Sequence, residues 1–261
     1  MKSRNLTTLA LASSLAIGTV AVAQTAPPPS PPFAFVSVTT VSVKPSAVSD
    51  FEEYIKKANA AAVKIGIRPS NVYSVGRGGP GFTYVFTLRF TKWADMDERP
   101  SLPSMLKKAY GDAEGAKIYG AGSATITSAS SVVLRVLPGL SSPPASLDTP
   151  APHVRVSRVE IHQGMGPKFE TYLGKLKAAQ DKAGGTPPVI RYSTALGPSN
   201  TYSAAYFFDK FAQWDSAPAI ADLLRKSYGE GEAAILEETS RSCVKHLEVS
   251  VLDYRPDLSK P

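Results

Sequence analysis

The chain has little of what most site chemistry needs. Of its 261 residues, one is cysteine, three are histidine and two are tryptophan. The single thiol, Cys243, excludes an internal disulfide and any paired-cysteine metal motif. A lone cysteine near the start of a strand reads as a small buried hydrophobe. No dinucleotide fingerprint and no Ser-His-Asp order occurs. The one glycine-rich stretch, Gly76-Arg77-Gly78-Gly79-Pro80-Gly81, lacks the Lys-Ser/Thr pair and the following helix of a phosphate loop, so it reads as a hairpin turn. On these grounds no cofactor is expected and no metal site is assigned. The formal charge is +7, with 29 Lys and Arg against 22 Asp and Glu, but the basic residues are spread along the chain. Spread charge makes no groove for nucleic acid.

What is present begins with an export pattern. Lys2 and Arg4 precede a mostly apolar run from Leu6 to Val22, and Ala21-Val22-Ala23 before Gln24 is a small-residue cleavage box. Residues 1–23 are therefore expected to be a signal peptide, and the mature protein periplasmic or secreted. No cysteine follows the box, so a lipid anchor is not indicated, and no stable membrane insertion is expected once the segment is removed. The Pro-rich stretch of residues 24–35 reads as an extended linker.

The remainder contains one pattern twice. Leu106-Lys107-Lys108-Ala109-Tyr110-Gly111 returns as Leu224-Arg225-Lys226-Ser227-Tyr228-Gly229, and Phe51-Glu52-Glu53-Tyr54 as Phe169-Glu170-Thr171-Tyr172, at a constant offset of 118 (224 minus 106). Each copy reads as β-α-β-β-α-β. In the first, an alternating strand from Val36 to Val43 precedes a helix with an apolar stripe at Phe51, Ile55, Ala58 and Ala62, ended by Gly66. The spacing of Ser49 and Glu52 suits a capping box at that helix's start, and an earlier start at Ser46 is the alternative. Two hairpin strands follow, then a helical region and a last strand. In the strand from Phe82 to Phe90, Phe82, Tyr84, Phe86, Leu88 and Phe90 share one strongly apolar face. The domains expected are a first repeat over 36–140, a Ser/Pro-rich linker over 141–152 and a second repeat over 153–258. The polar tail from Asp253 onward reads as loose.

This layout, with an aromatic strand leading into Lys92-Trp93-Ala94-Asp95-Met96-Asp97 or Lys210-Phe211-Ala212-Gln213-Trp214-Asp215, then a proline and a helix, resembles the dimeric α+β barrel superfamily. Its antibiotic-biosynthesis-monooxygenase-like and NIPSNAP-like branches are the most similar. The resemblance implies an α+β fold in which two tandem ferredoxin-like repeats pack sheet to sheet as a pseudo-dimeric barrel within one chain. Members include cofactor-free oxygenases, haem-handling enzymes and isomerases, so the fold implies no single activity.

Residues shared by both copies are expected to serve the fold, and those that differ point to a site. All three histidines lie in the second copy or at its start. Arg158, Glu160 and His162 share one face of its first strand, and His246, Glu248 and Ser250 one face of its last. The first copy has Thr40, Ser42, Lys44, Ser128 and Ser130 at the places of Arg158, Glu160, His162, His246 and Glu248. The two strands are neighbours in this topology, so a ligand site is expected at Arg158, Glu160, His162, His246 and Glu248, with Tyr202 and Tyr206 as wall residues. A small, partly apolar molecule is the expected partner, held by a histidine hydrogen bond. Proton transfer through the same histidines, as in a cofactor-independent monooxygenase or an isomerase, is the alternative, and an inactive scaffold the third. The oligomeric state is left open.

Overall fold

The computed structural model describes residues 31–259. The expected signal peptide and most of the Pro-rich linker lie outside the described residues. The first half runs β1 (Phe35–Val43), α1 (Val48–Lys64), β2 (Asn71–Arg77), β3 (Thr83–Phe90), α2 (Leu102–Tyr110), α3 (Asp112–Ser123) and β4 (Ile126–Val136). The second runs β5 (His153–Ile161), α4 (Gly166–Ala183), β6 (Val189–Leu196), β7 (Thr201–Phe208), α5 (Ala212–Asp215), α6 (Ile220–Cys243) and β8 (Val244–Tyr254), and a last turn of helix, α7 (Pro256–Ser259), closes the chain. Gly111, at φ 86°, separates α2 from α3, and Gly229, at φ 78°, kinks α6 at the matched place. Only a residue without a side chain adopts that angle cheaply.

The eight strands form one closed antiparallel barrel in the order β1-β3-β2-β8-β5-β7-β6-β4. The two four-stranded sheets do not merely face each other. Their edge strands pair, β2 with β8 and β4 with β6, which leaves no open edge in the barrel. The helices lie outside. The apolar face of β3 is covered by them and not by the opposite sheet: Tyr84 is buried and Phe86 packed in a cluster with Phe51, Tyr54 and Ile55 of α1 and Leu106 of α2. The matched cluster in the second half joins Phe169, Tyr172 and Leu173 of α4 to Leu223 and Leu224 of α6. Each large side chain buried in this way stabilises the fold by roughly 1.5–3 kcal/mol.

Shared residues serve this packing. Tyr110 Oη donates to Lys57 O at 3.0 Å and Tyr228 Oη to Lys175 O at 2.9 Å. Tyr84 Oη donates to Glu52 at 2.7 Å and Tyr202 Oη to Glu170 at 2.8 Å.

Four readings of the sequence are corrected. The 118 offset slips by one residue at β2 and β6. Asn71 faces Thr87, but Ile190, 119 positions on, faces Ala205, which is 118 beyond Thr87. The capping box at Ser49 does not form, because α1 starts two residues earlier than that cap requires, at Val48 with Ala47 as its N-cap, one residue beyond the alternative cap at Ser46. Cys243 is buried as expected, but as the last residue of α6 and not on β8. The tail is ordered: Leu258 is 1% exposed within the first half's core, and Ser259 Oγ accepts the Val72 N–H at 2.9 Å. A single leucine with hydrogen-bonding neighbours anchors a tail that its composition marks as polar. Among the described residues no helix is long and apolar enough to cross a membrane.

Candidate functional site

Alternation along each strand sends one set of side chains under the helices and the other into the barrel. The inward set encloses a cavity of about 690 Å³, within the range of small-molecule sites. Its wall is mostly aliphatic, with Val38, Val75, Val85, Val132, Val156 and Leu252 contributed by both halves, and Ala205 leaving room in β7. Thr40, Thr83, Ser130, Thr194 and Ser203 add hydroxyls along it.

One end is the mouth, where β1 and β5 finish and the two hairpin tips, at Gly78 to Pro80 and at Pro198, stand over the opening. Gly78, at φ 75°, lies so close to β8 that a Cβ would fall 2.5 Å from Val249 O. Arg158 and Glu248 line the cavity here, are register partners on β5 and β8, and form a half-exposed ion pair at 3.4 Å. Glu160 faces His246 in the same ladder but bonds outward to Lys245 Nζ at 2.6 Å. That bond, opposed by slight desolvation, holds the Glu160 carboxyl below the ordinary carboxylate range. His246 Nε2 lies 3.3 Å from Glu248 Oε1.

The strand pairing therefore brings Arg158, Glu160, His246 and Glu248 together at the rim, but not His162. β5 ends at Ile161, and His162 follows it into the turn toward α4, its backbone N–H donating to Cys243 O at 2.9 Å. Both imidazoles are exposed, so neither is a buried donor aimed at a ligand. Tyr202 and Tyr206 are not cavity walls. They share a face, as expected, but it is the helix face. Tyr202 packs edge-on against Phe169 with ring centroids 5.1 Å apart, and Tyr206 against Trp214 at 5.7 Å. His153 is also committed elsewhere, to Asp253 at 2.6 Å and to the ring of Phe208.

The opposite end is a floor that the sequence reading missed. Phe33 and Leu147 are buried across it, and Arg89 donates to Leu147 O at 2.7 Å with its guanidinium over the Phe33 ring at 5.0 Å. Tyr73 and Tyr192 also line the cavity and occupy matched places in the two halves, Tyr73 opposite Val85 and Tyr192 opposite Ser203. Burial pushes the Tyr73 hydroxyl up to about 12, against the smaller pull of Arg89, and pushes Tyr192 further the same way. Both are neutral donors at ordinary pH. Burial in turn lowers Arg89 from its usual value, short of neutralising it. The signal was in the sequence: Arg89 is the one charge in an otherwise uncharged strand, and its match in the second half is Phe207.

No His, Cys or Met lines the cavity, so it offers no imidazole or sulfur ligand to an iron or haem. Among the described residues no group of three or more His, Cys, Asp or Glu is placed to hold a metal ion.

No family model matches this chain, and no curated protein matches it. Solved structures do. A candidate monooxygenase from Fusobacterium nucleatum superposes with a TM-score of 0.53 at 7% identity, over 85% of this chain and 92% of its own. An anthrone oxidase-like protein gives 0.51 at 13% identity, over 85% and 91%. A variant chlorite dismutase from Candidatus Nitrospira defluvii, in complex with cyanide, gives 0.51 at 8% identity, over 88% and 95%. At such identities the likeness is one of architecture: this chain shares with them its α+β fold.

Proposed function

We propose that the barrel interior binds a small, partly apolar molecule, admitted at the mouth between the hairpin tips. The observation that carries this reading is the 690 Å³ cavity itself, mostly aliphatic in its wall and charged only at its two ends. A barrel of eight strands can be filled by its own side chains, and this one is not. The rim residues Arg158, Glu160, His246 and Glu248 are then the gate to the site and not its centre. A cavity-filling variant tests the reading. Ala205 sits mid-wall between Val156 and Ile190. Ala205→Phe should keep the fold and abolish the thermal shift that a neutral aromatic probe, 2-naphthamide, gives the parent protein. An equal shift in both would refute an interior site.

Catalysis is the second reading, as a cofactor-independent monooxygenase or isomerase. His246 beside Glu248, which lines the cavity, is a proton-transfer pair at the mouth. The likeness to a candidate monooxygenase and an anthrone oxidase-like protein suggests the assay: oxygen uptake with anthrone and no added cofactor. Uptake lost in His246→Ala would favour it, and no uptake above buffer would leave binding, or an inactive scaffold.

The units of this reading are two ferredoxin-like repeats, 36–140 and 153–258, of the antibiotic-biosynthesis-monooxygenase-like or NIPSNAP-like kind, joined by the linker 141–152. Export by residues 1–23 belongs to it too, supported by the Ala21-Val22-Ala23 box. Intact mass of the protein from its native cell envelope should correspond to a start near Gln24, and retention of Met1 to Ala23 would contradict export.

A further inference from the structure

Resting on the interior site just proposed, the geometry points to an oxyanion subsite at the barrel floor, where Arg89, Tyr73 and Tyr192 hold the carboxylate or comparable anionic end of an amphipathic ligand whose apolar body lies along the aliphatic wall.

Three observations converge on it. First, of the two arginines that line the cavity, Arg158 is paired with Glu248, whereas Arg89 has no carboxylate in ion-pair distance among the described residues. A guanidinium carries five N–H donors, and the bond to Leu147 O uses one. A partly buried cation with no carboxylate in direct contact carries a desolvation cost, and an anion delivered by a ligand offsets it. Second, the hydroxyls of Tyr73 and Tyr192 are neutral donors on the same cavity, and neither has a hydrogen-bond partner among the described residues. Third, the charges lining the cavity divide unequally. Arg158 and Glu248 neutralise each other at the mouth, which leaves Arg89 as the unbalanced charge at the far end. A ligand with an anionic head and an apolar body therefore has one favoured orientation, head to the floor.

The asymmetry between the halves agrees. The two tyrosines are matched across the barrel, but the place matched to Arg89 is taken by Phe207. One anionic group is thus held per barrel, not two, and the apolar body has an aromatic surface opposite the cation.

The test titrates the full chain by calorimetry with 2-naphthoate and, separately, with 2-naphthamide, which has the same ring but no charge. The acid should bind at least about tenfold more tightly than the amide, as a charge-assisted contact predicts. Arg89→Gln should bring the two to equal affinity while amide binding persists. Because Arg89 also holds Leu147, that variant's far-ultraviolet spectrum and melting temperature are measured alongside. Should it fail to fold, Tyr73→Phe with Tyr192→Phe carries the test, since it removes two hydroxyls without other bonds; it should weaken the acid several-fold and leave the amide unchanged. If the parent binds acid and amide equally, the oxyanion subsite is wrong and the interior site stands. If it binds neither, the interior site falls with it. If it prefers the acid but both variants keep that preference, the anion is read elsewhere and the floor assignment is overturned.

Discussion

Replacing Leu258 by alanine should destabilise the first half of the barrel, although Leu258 lies in the polar tail beyond the last strand. It is 1% exposed and packs in the cluster that contains Phe51, Tyr54, Ile55 and Val72. Its carbonyl accepts the Asn59 side-chain amide at 2.7 Å, and Arg255, just before it, bonds Glu52 of α1 at 2.7 Å and Asp257 at 2.7 and 2.9 Å. The tail is thus held on both sides of the leucine, and the hole left by truncation cannot close freely. Leucine to alanine in such a site costs about 2–5 kcal/mol. A chain end can relax more than a mid-helix position, which favours the lower half of that range. For a chain of this size each kcal/mol lowers the melting temperature by about 2–4 °C, so a fall of roughly 4–14 °C is expected. The assay is thermal unfolding followed by circular dichroism, with Ile235→Ala as control, because Ile235 is 67% exposed on α6. If both variants melt within about a degree of the parent, the docked tail contributes nothing and the packing argument fails.

Three further outcomes follow from the same contacts. The bond from Arg255, then that from Tyr84, holds the Glu52 carboxyl below its ordinary range against desolvation. A depressed carboxylate stabilises the fold above its unfolded value of about 4.3 and loses that contribution as pH falls through the folded value. Glu52→Gln should therefore be less stable than the parent by about 1–3 kcal/mol at pH 7, and denaturant melts should show the gap closing between about pH 5 and pH 3; a gap independent of pH would contradict this. Arg158→Ala removes only a half-exposed pair, so its melting free energy should change by less than about 1 kcal/mol. Gly78→Ala forces a side chain into a positive-φ site against Val249 O, and should cost roughly 1 kcal/mol or more by denaturant melt, with the mouth displaced.

The barrel was legible because both copies had to preserve it. Phe51 with Phe169, and Tyr110 with Tyr228, mark the same packing positions twice, and period-two alternation grouped residues of β3 and β7 that share a face, except Phe82, which lies before β3 at φ 54° and is exposed. It did not reveal which face looks inward. Tyr202 and Tyr206 sit on the helix side because Glu170 and Trp214 meet them there, and those contacts come from elements distant in sequence. That β5 and β8 are neighbours was anticipated from topology, but the register that pairs Arg158 with Glu248 and Glu160 with His246 was not, and nor was their exposure, since a strand's end and a strand's middle look alike in sequence. Tyr73 and Tyr192 escaped notice for a simpler reason. A gapless offset pairs Tyr73 with Arg191, and only the register of β6 against β7 shows that Tyr192 is its counterpart. Arg191 turns the other way, fully buried, bonding Gln180 at 2.7 Å and Leu140 O.

The central claim is that the interior of the barrel, and not the crevice under the helices or the histidine rim, receives the ligand. A crystal structure of the chain soaked with 2-naphthoate tests it most directly. The account predicts the naphthyl ring between Val156 and Val85, with its carboxylate within hydrogen-bond distance of Arg89, Tyr73 and Tyr192. A naphthoate lodged between α4 and β7, or held only at His162 and His246 with the barrel empty of it, would contradict the account.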